Sequence, residues 1–193
     1  KAYFSPPGPG KAAANREAVT AANRALAIDP NLARAHLILG VNGASGPDAR
    51  QHLEAATRLD PASAENWYFL HEAHLFEGDY PRALDVLRRA VAIDPLWWPA
   101  FFQASNLAWE MGYREEAEAY VRRVEEAASP PSEAPMGRSD MATRRGDYSG
   151  AIAQAVQAWL SAPPDRRFFA ELSFGGALRS AGRYDEAARN WLR

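Results

Sequence analysis

Along most of the chain apolar side chains return every three or four positions, the period of a helix and not the alternation of a strand. Between 64 and 76 the stripe is Trp67, Leu70, Ala73 and His74; from 81 onward it is Ala83, Leu84, Leu87, Ala90 and Val91. Gly78 separates the two stripes and supplies a backbone free to reverse direction. Pro81 falls in the first turn of the second stripe, where its missing N–H leaves no helical bond unmade. Asp94-Pro95 closes that stripe, because proline disfavours helix in the residue before it. The pattern predicts two helices folded back on each other, and no stretch elsewhere reads as a strand. The chain is therefore expected to be all-α.

This hairpin is one of a series. Gly78, Gly112 and Gly146 are 34 residues apart and Gly182 follows after 36, each leading into an aromatic and then an alanine, as in Gly78-Asp79-Tyr80-Pro81-Arg82-Ala83 and Gly146-Asp147-Tyr148-Ser149-Gly150-Ala151. A second marker, Asp-Pro, closes the units at Pro30, Pro61 and Pro95, with Pro163 as a weaker fourth. The 193 residues amount to about 5.7 such periods. They divide into a partial first unit over 1–30, a short one over 31–61, then 62–95, 96–130, a weak unit over 131–164 and a last one over 165–193. The first helix is expected over Lys11 to Ile28, after a loop at Pro6–Gly10. Pro135, Gly137 and Arg138 predict a bent or shifted helix in the weak unit. The short unit must turn early at Gly43–Pro47. Tyr3-Phe4 at one end and Arg193 at the other read as severed helices, so the chain is expected to be a piece of a longer protein.

Trp67, Leu70, Ala83, Leu87, Ala90 and Pro95 resemble the tetratricopeptide repeat, in which the first helix carries an aromatic, Leu and Gly and the second carries Ala, an aromatic or aliphatic residue, Ala and Pro. His71 and His74 stand where that pattern has Gly and Tyr. His36, Leu39, Gly40, Ala49, Leu53, Ala56 and Pro61 form a second copy, and Phe101, Ala104, Ser105, Ala108, Ala117 and Val121 a third, ending at Ser129-Pro130-Pro131. The resemblance implies a single right-handed superhelical solenoid of stacked antiparallel helix pairs over 1–193. A lone hairpin cannot bury enough surface to offset the entropy of ordering it; stacking can.

Composition narrows the chemistry. With 22 Lys+Arg against 24 Asp+Glu the formal charge is -2, which gives no bulk attraction to nucleic acid or an anionic membrane, and neither partner is expected. No apolar run is long enough to span a bilayer, and the N-terminus lacks the order of a signal peptide. A soluble segment is expected, in the cytoplasm rather than the periplasm. The absence of cysteine removes disulfides, thiolate metal sites and a Cys nucleophile. Arginine replaces all lysines except Lys1 and Lys11, and alanine is abundant, a bias common in GC-rich bacteria. Ser5-Pro6-Pro7-Gly8-Pro9-Gly10-Lys11-Ala12 imitates a phosphate loop but lacks its first Gly, the Ser or Thr after Lys and a preceding strand, so it reads as a plain loop. His71 and His74 share a helical face, yet both hold packing positions, so they are expected to be packed histidines, with no metal and no cofactor. His36 and His52 are not tied to them by spacing. Arg88-Arg89 and Arg122-Arg123, again 34 apart, with Arg144-Arg145 and Arg166-Arg167, suggest a basic stripe. Neighbouring acids, Glu125 and Glu126 among them, are expected to neutralise it. No catalytic constellation appears, and no enzyme is expected.

The resemblance points instead to the concave face lined by the first helices, as a groove for a protein or peptide. Its positions fall on Arg34, Leu37 and Val41; Glu65, Tyr68, Glu72, Leu75 and Phe76; Phe102, Asn106, Trp109 and Glu110; and Met136, Asp140 and Arg144. Tyr68, Phe102 and Trp109 would supply rigid contact area, while Glu72, Asn106 and Asp140 would pair with a peptide backbone or basic side chains. The Lys, Asn and Arg clamp by which some members of the family hold a terminal carboxylate is missing, with Leu37, Val41, Phe69, Pro99 and Gln103 in its place. Trp97 and Trp98 form a second aromatic ledge at a junction between units. The chain is also similar to repeat segments of bacterial regulators such as winged-helix activators and nucleotide cyclases. Two other readings stay open: a homo-oligomerisation module pairing through Trp97, Trp98 or the C-terminal face of the last unit, and a ligand- or metal-sensing domain built on His71 and His74.

Overall fold

Four glycines set the rhythm of the backbone in the computed structural model, which describes residues 9–42, 47–95, 97–126, 133–164 and 167–191. Gly78, Gly112, Gly146 and Gly182 all take positive φ, between 73° and 86°. At Gly112 the glycine N–H donates to the Trp109 carbonyl (3.0 Å) and the Tyr113 N–H reaches back to the Ala108 carbonyl (2.8 Å). These two bonds close a helix with a left-handed cap, and they recur at the other three glycines. A Cβ at Gly112 would meet nothing within 4 Å, so the backbone angle and not crowding calls for glycine.

The described residues form eleven helices and no strand. The first unit, Lys1–Asp94, holds α1 (Pro9–Ile28), α2 (Ala33–Asn42), α3 (Pro47–Leu59), α4 (Ala64–Phe76) and α5 (Tyr80–Ile93). The second, Pro95–Arg193, holds α6 (Trp98–Glu110), α7 (Arg114–Glu126), α8 (Glu133–Arg144), α9 (Tyr148–Ser161), α10 (Arg167–Ser180) and α11 (Tyr184–Trp191). Within the units α2/α3, α4/α5, α6/α7, α8/α9 and α10/α11 pack as hairpins, in the register of the repeat. The first helix starts at Pro9, two residues before the expected Lys11. The expected early turn at 43–46, the loop before Pro9 and the Ser129-Pro130-Pro131 ending lie outside the described residues.

Local chemistry accounts for the starts and stops. Ser63, Asp79 and Asp147 accept from the backbone N–H groups of Asn66, Arg82 and Gly150, each three residues on, as helix N-caps do. Pro81 and Pro99 sit in the first turns of α5 and α6. Pro135, expected to bend its helix, also falls in the first turn of α8, where no i−4 bond exists to lose; α8 runs through to Arg144 without interruption.

The core follows the small residues. Ala83, Ala117 and Ala151 have no exposed surface where their hairpins cross, and Ala187 has 6%. The expected stripe of α5, Ala83, Leu84, Leu87, Ala90 and Val91, is buried in full. Seven residues before each turn glycine stands the residue that faces this crossing. Ser105 and Ser139 there donate to the carbonyls of Ala117 (3.0 Å) and Ala151 (2.9 Å), and His71 holds the same register in α4. Gly40 holds it in α2, where a Cβ would stand 2.6 Å from Leu53 Cγ. α4 departs from a one-sided helix: Tyr68, Phe69, Leu70, His71 and His74 are all buried. The buried residues of α4 thus span more than one face, while Glu72 and Phe76 stay exposed.

Candidate functional site

In the second unit the facing positions of α6 and α8 converge on one side chain. Arg144 donates from Nε to Asp140 Oδ2 at 2.9 Å and from Nη2 to Asn106 Oδ1 at 3.1 Å, while Nη1 lies 4.0 Å from Glu110. One guanidinium thereby joins two first helices in successive hairpins. Only 17% of the Arg144 side chain is exposed against 65% of Glu110, so the arginine is an internal tie and Glu110 an open charge. The tie also fixes the Asn106 amide. With Oδ1 turned to Arg144, Nδ2 is left as a donor, and Asp140 Oδ1 is left as an acceptor, neither with a partner among the described residues. A donor and an acceptor held on neighbouring helices match the alternating C=O and N–H of an extended peptide.

Beside this polar pair lies an aromatic cluster. Trp98 packs edge-to-face against Phe102 (6.2 Å) and Phe169 (6.1 Å), and Phe169 against Phe168 (5.6 Å). Trp97, Trp98 and Phe102 are half-buried. Trp109, also half-buried, carries the Arg114 guanidinium 5.0 Å above its ring, a cation–π contact with the start of α7.

The other expected groove residues divide. Tyr68 (3% exposed) and Met136 (8%) hold the expected register, but their side chains are core. Tyr68 packs edge-on against Phe69 at 5.2 Å, and Met136 joins Ala158, Ala162 and Ala170 under Phe169. They offer a partner no surface, because neighbouring side chains cover the helix face that carries them. Leu37 is likewise buried, Leu75 half-buried and Phe76 82% exposed. Arg34 is ion-paired with Glu65. Glu72 keeps an exposed surface, yet desolvation raises its carboxyl above the usual value.

The histidines are structural. His71 and His74 are 1% and 6% exposed. The His71 Nδ1–H donates to the Tyr68 carbonyl, leaving His71 Nε2 and His74 Nδ1 without partners. Burial above all holds the His71 imidazole neutral, lowering its pKa to about 4; the bond to Tyr68 opposes the shift and His74 adds to it. His36 and His52, which their spacing does not connect, meet across α2 and α3 with their Nδ1 atoms 2.9 Å apart. The His36 Nε2–H donates to the Pro30 carbonyl at 3.1 Å, so His36 Nδ1 accepts and His52 Nδ1–H donates. The ring centroids are 5.1 Å apart, and the two ring radii account for nearly all the separation beyond 2.9 Å. The nitrogens therefore face head-on, whereas lone pairs serving a metal would converge on a point off that line. No three His, Asp or Glu side chains converge on a metal position among the described residues.

At least one arginine of each of the pairs 88/89, 122/123 and 144/145 meets an acid on the preceding turn or in the preceding hairpin. Arg88 pairs with Asp85 (2.8 Å), Arg122 lies 3.9 Å from Glu118, and Arg145 bonds the same Glu118. Arg89 lies over the Trp67 ring at 4.8 Å. Arg166 and the side chains of Glu125 and Glu126 lie outside the described residues.

Successive helix hairpins closed by left-handed glycines, with alanines at each crossing, define a helical-repeat protein. The family model of the tetratricopeptide repeat matches residues 45–96 and 102–167, and the chain belongs to that family. Among solved structures it is similar to TTC0263, a thermophilic tetratricopeptide-repeat protein of Thermus thermophilus (21% identity, 85% of this chain and 90% of that one, TM-score 0.67). It is similar also to MamA (23%, 74% and 85%, TM-score 0.59). A third is YrrB, described as a tetratricopeptide-repeat protein with an unusual peptide-binding site (16%, 89% and 89%, TM-score 0.57). At these identities the likeness is one of fold. No curated protein matches the chain significantly in sequence. Among the described residues no helix is long and apolar enough to cross a membrane.

Proposed function

We propose that this chain is a non-catalytic binding module that takes an extended protein segment along α6 and α8. The family's repeats commonly present a concave surface to protein partners. The observation that carries the reading is the Asn106–Arg144–Asp140 arrangement, in which one half-buried arginine sets a free donor and a free acceptor side by side next to Phe102 and Trp98. Rigid aromatics supply contact area at low entropic cost, and the polar pair fixes backbone register. Trp98 is engaged by Phe102 and Phe169 of its own unit, which favours this reading over pairing of two copies through the tryptophan ledge. The arginine-rich, lysine-poor composition supports a bacterial source.

Selection of displayed random peptides on the chain tests the proposal. Enriched peptides are expected to bind a Phe102→Ala/Asn106→Ala variant roughly 30-fold more weakly, about 2 kcal/mol. Equal binding by wild type and a folded double variant overturns the site.

A further inference from the structure

Between α6, α7 and α8 the second unit contains a narrow cleft, open at its mouth. Its floor is Phe101 and Tyr120, both buried, with rings 6.1 Å apart and edge-to-face. Trp98 and Phe102 form the rim, Val121 and Gly137 the back wall, and Asp140 stands at the mouth. Ser105 also borders the cleft, but its hydroxyl is spent on the Ala117 carbonyl and asks nothing of an occupant.

The cleft exists because of a missing side chain. Nine residues before its turn glycine, α8 has Gly137; at the same register α4 has Phe69, which is 4% exposed. α4 packs on α3 as α8 packs on α7, so the position that a ring fills in one hairpin is vacated in the other. A Cβ on Gly137 would lie 3.4 Å from Val121 Cγ1 and 3.7 Å from Cγ2, ordinary contact distances at which one methyl closes the back wall. Apolar walls with no side chain filling them leave dispersion contacts unmade, and a partner's hydrocarbon supplies them. Beside the cleft the charge is acidic on balance: Arg144 is shared between Asp140, at 2.9 Å, and the exposed Glu110, at 4.0 Å.

Resting on the groove reading above, we propose that this cleft is an anchor slot for one aliphatic side chain, of leucine or isoleucine size, from an extended peptide whose next residue is basic. The aliphatic group enters past Trp98 and Phe102 to reach Val121, and the basic group lies over Glu110 and Asp140. An aromatic ring is too long for a back wall that one methyl closes.

The test is fluorescence anisotropy on the full chain with labelled synthetic nonapeptides, identical except for the central pair Leu-Arg, Ala-Arg, Leu-Glu or Phe-Arg. Leu-Arg is expected to bind at least about tenfold tighter than each of the others. Gly137→Ala plugs the slot and brings Leu-Arg down to the level of Ala-Arg, with a circular-dichroism melt at or above that of wild type. Val121→Ala deepens the slot and moves the preference from Leu-Arg to Phe-Arg, which decides the matter even if Gly137→Ala does not fold. Equal binding of Leu-Arg and Ala-Arg, lost on Asn106→Ala, removes the slot and leaves the groove standing. Failure of all four peptides to bind at millimolar concentration overturns slot and groove together.

Discussion

The Ser105 hydroxyl donates to the carbonyl of Ala117 at 3.0 Å, a bond between the two helices of one hairpin that Ser139 and Ala151 repeat 34 residues later at 2.9 Å. Both serines are 2% exposed, so water cannot replace the bond. Ser105→Ala is expected to destabilise the second unit by about 1 kcal/mol, and the Ser105→Ala/Ser139→Ala pair by about twice that. Urea unfolding followed by circular dichroism measures both.

His71 meets the same crossing with a neutral imidazole in place of a hydroxyl. Its pKa of about 4 lies below the ordinary 6.5, so between these values the unfolded chain binds the proton that the folded chain refuses. The stabilisation is complete above pH 6.5, falls as pH falls toward 4 and levels off below it, a loss of roughly 3 kcal/mol. His52, also lowered by burial and by His36, acts in the same sense; Glu72, raised, acts in the opposite one. Denaturation midpoints at pH 7, 6, 5 and 4 are expected to decline steeply for wild type and much less for His71→Ser, the residue that α6 and α8 carry at this register.

Asn66 is a second buried polar group. It is 3% exposed, and its Nδ2 donates to the carbonyls of Ala56 and Asp60, both at 3.1 Å, joining the end of α3 to α4. Asn66→Ala is expected to cost about 1–3 kcal/mol by stranding those carbonyls. Asn66→Asp is expected to cost more, since it sets a carboxylate against two acceptors. Thermal melts of the two variants give the order.

Two glycines make opposite predictions. Gly112→Ala forces a side chain into positive φ and is expected to destabilise by about 1–2 kcal/mol. Gly176 lies inside α10 with open space where a Cβ would go, so Gly176→Ala is expected to stabilise by about 0.5–1 kcal/mol. A rise in melting temperature for the second and a fall for the first confirm both.

Hairpins, turn glycines and crossing alanines were legible because each is written within a few residues: a helical stripe, a Gly at the reversal, an Asp before Pro. The site was legible only by register. Asn106 and Asp140 were placed on successive first helices, but their orientation depends on Arg144 reaching from one to the other. Tyr68 and Phe102 hold equivalent positions, and nothing local marks the first as core and the second as rim. Phe169 closing on Trp98, and His52 on His36, depend on residues from different helices that share no periodicity.

By itself, the sequence determined the helical repeat, its hairpin register and which residues ride on the first helices, because those follow from backbone sterics and apolar period along one helix. Tertiary structure decided which of those side chains stay open. Exposure is set by what the next hairpin brings: Phe69 is a full ring in α4, Gly137 nothing at all in α8, and that difference leaves an open cleft in the second unit.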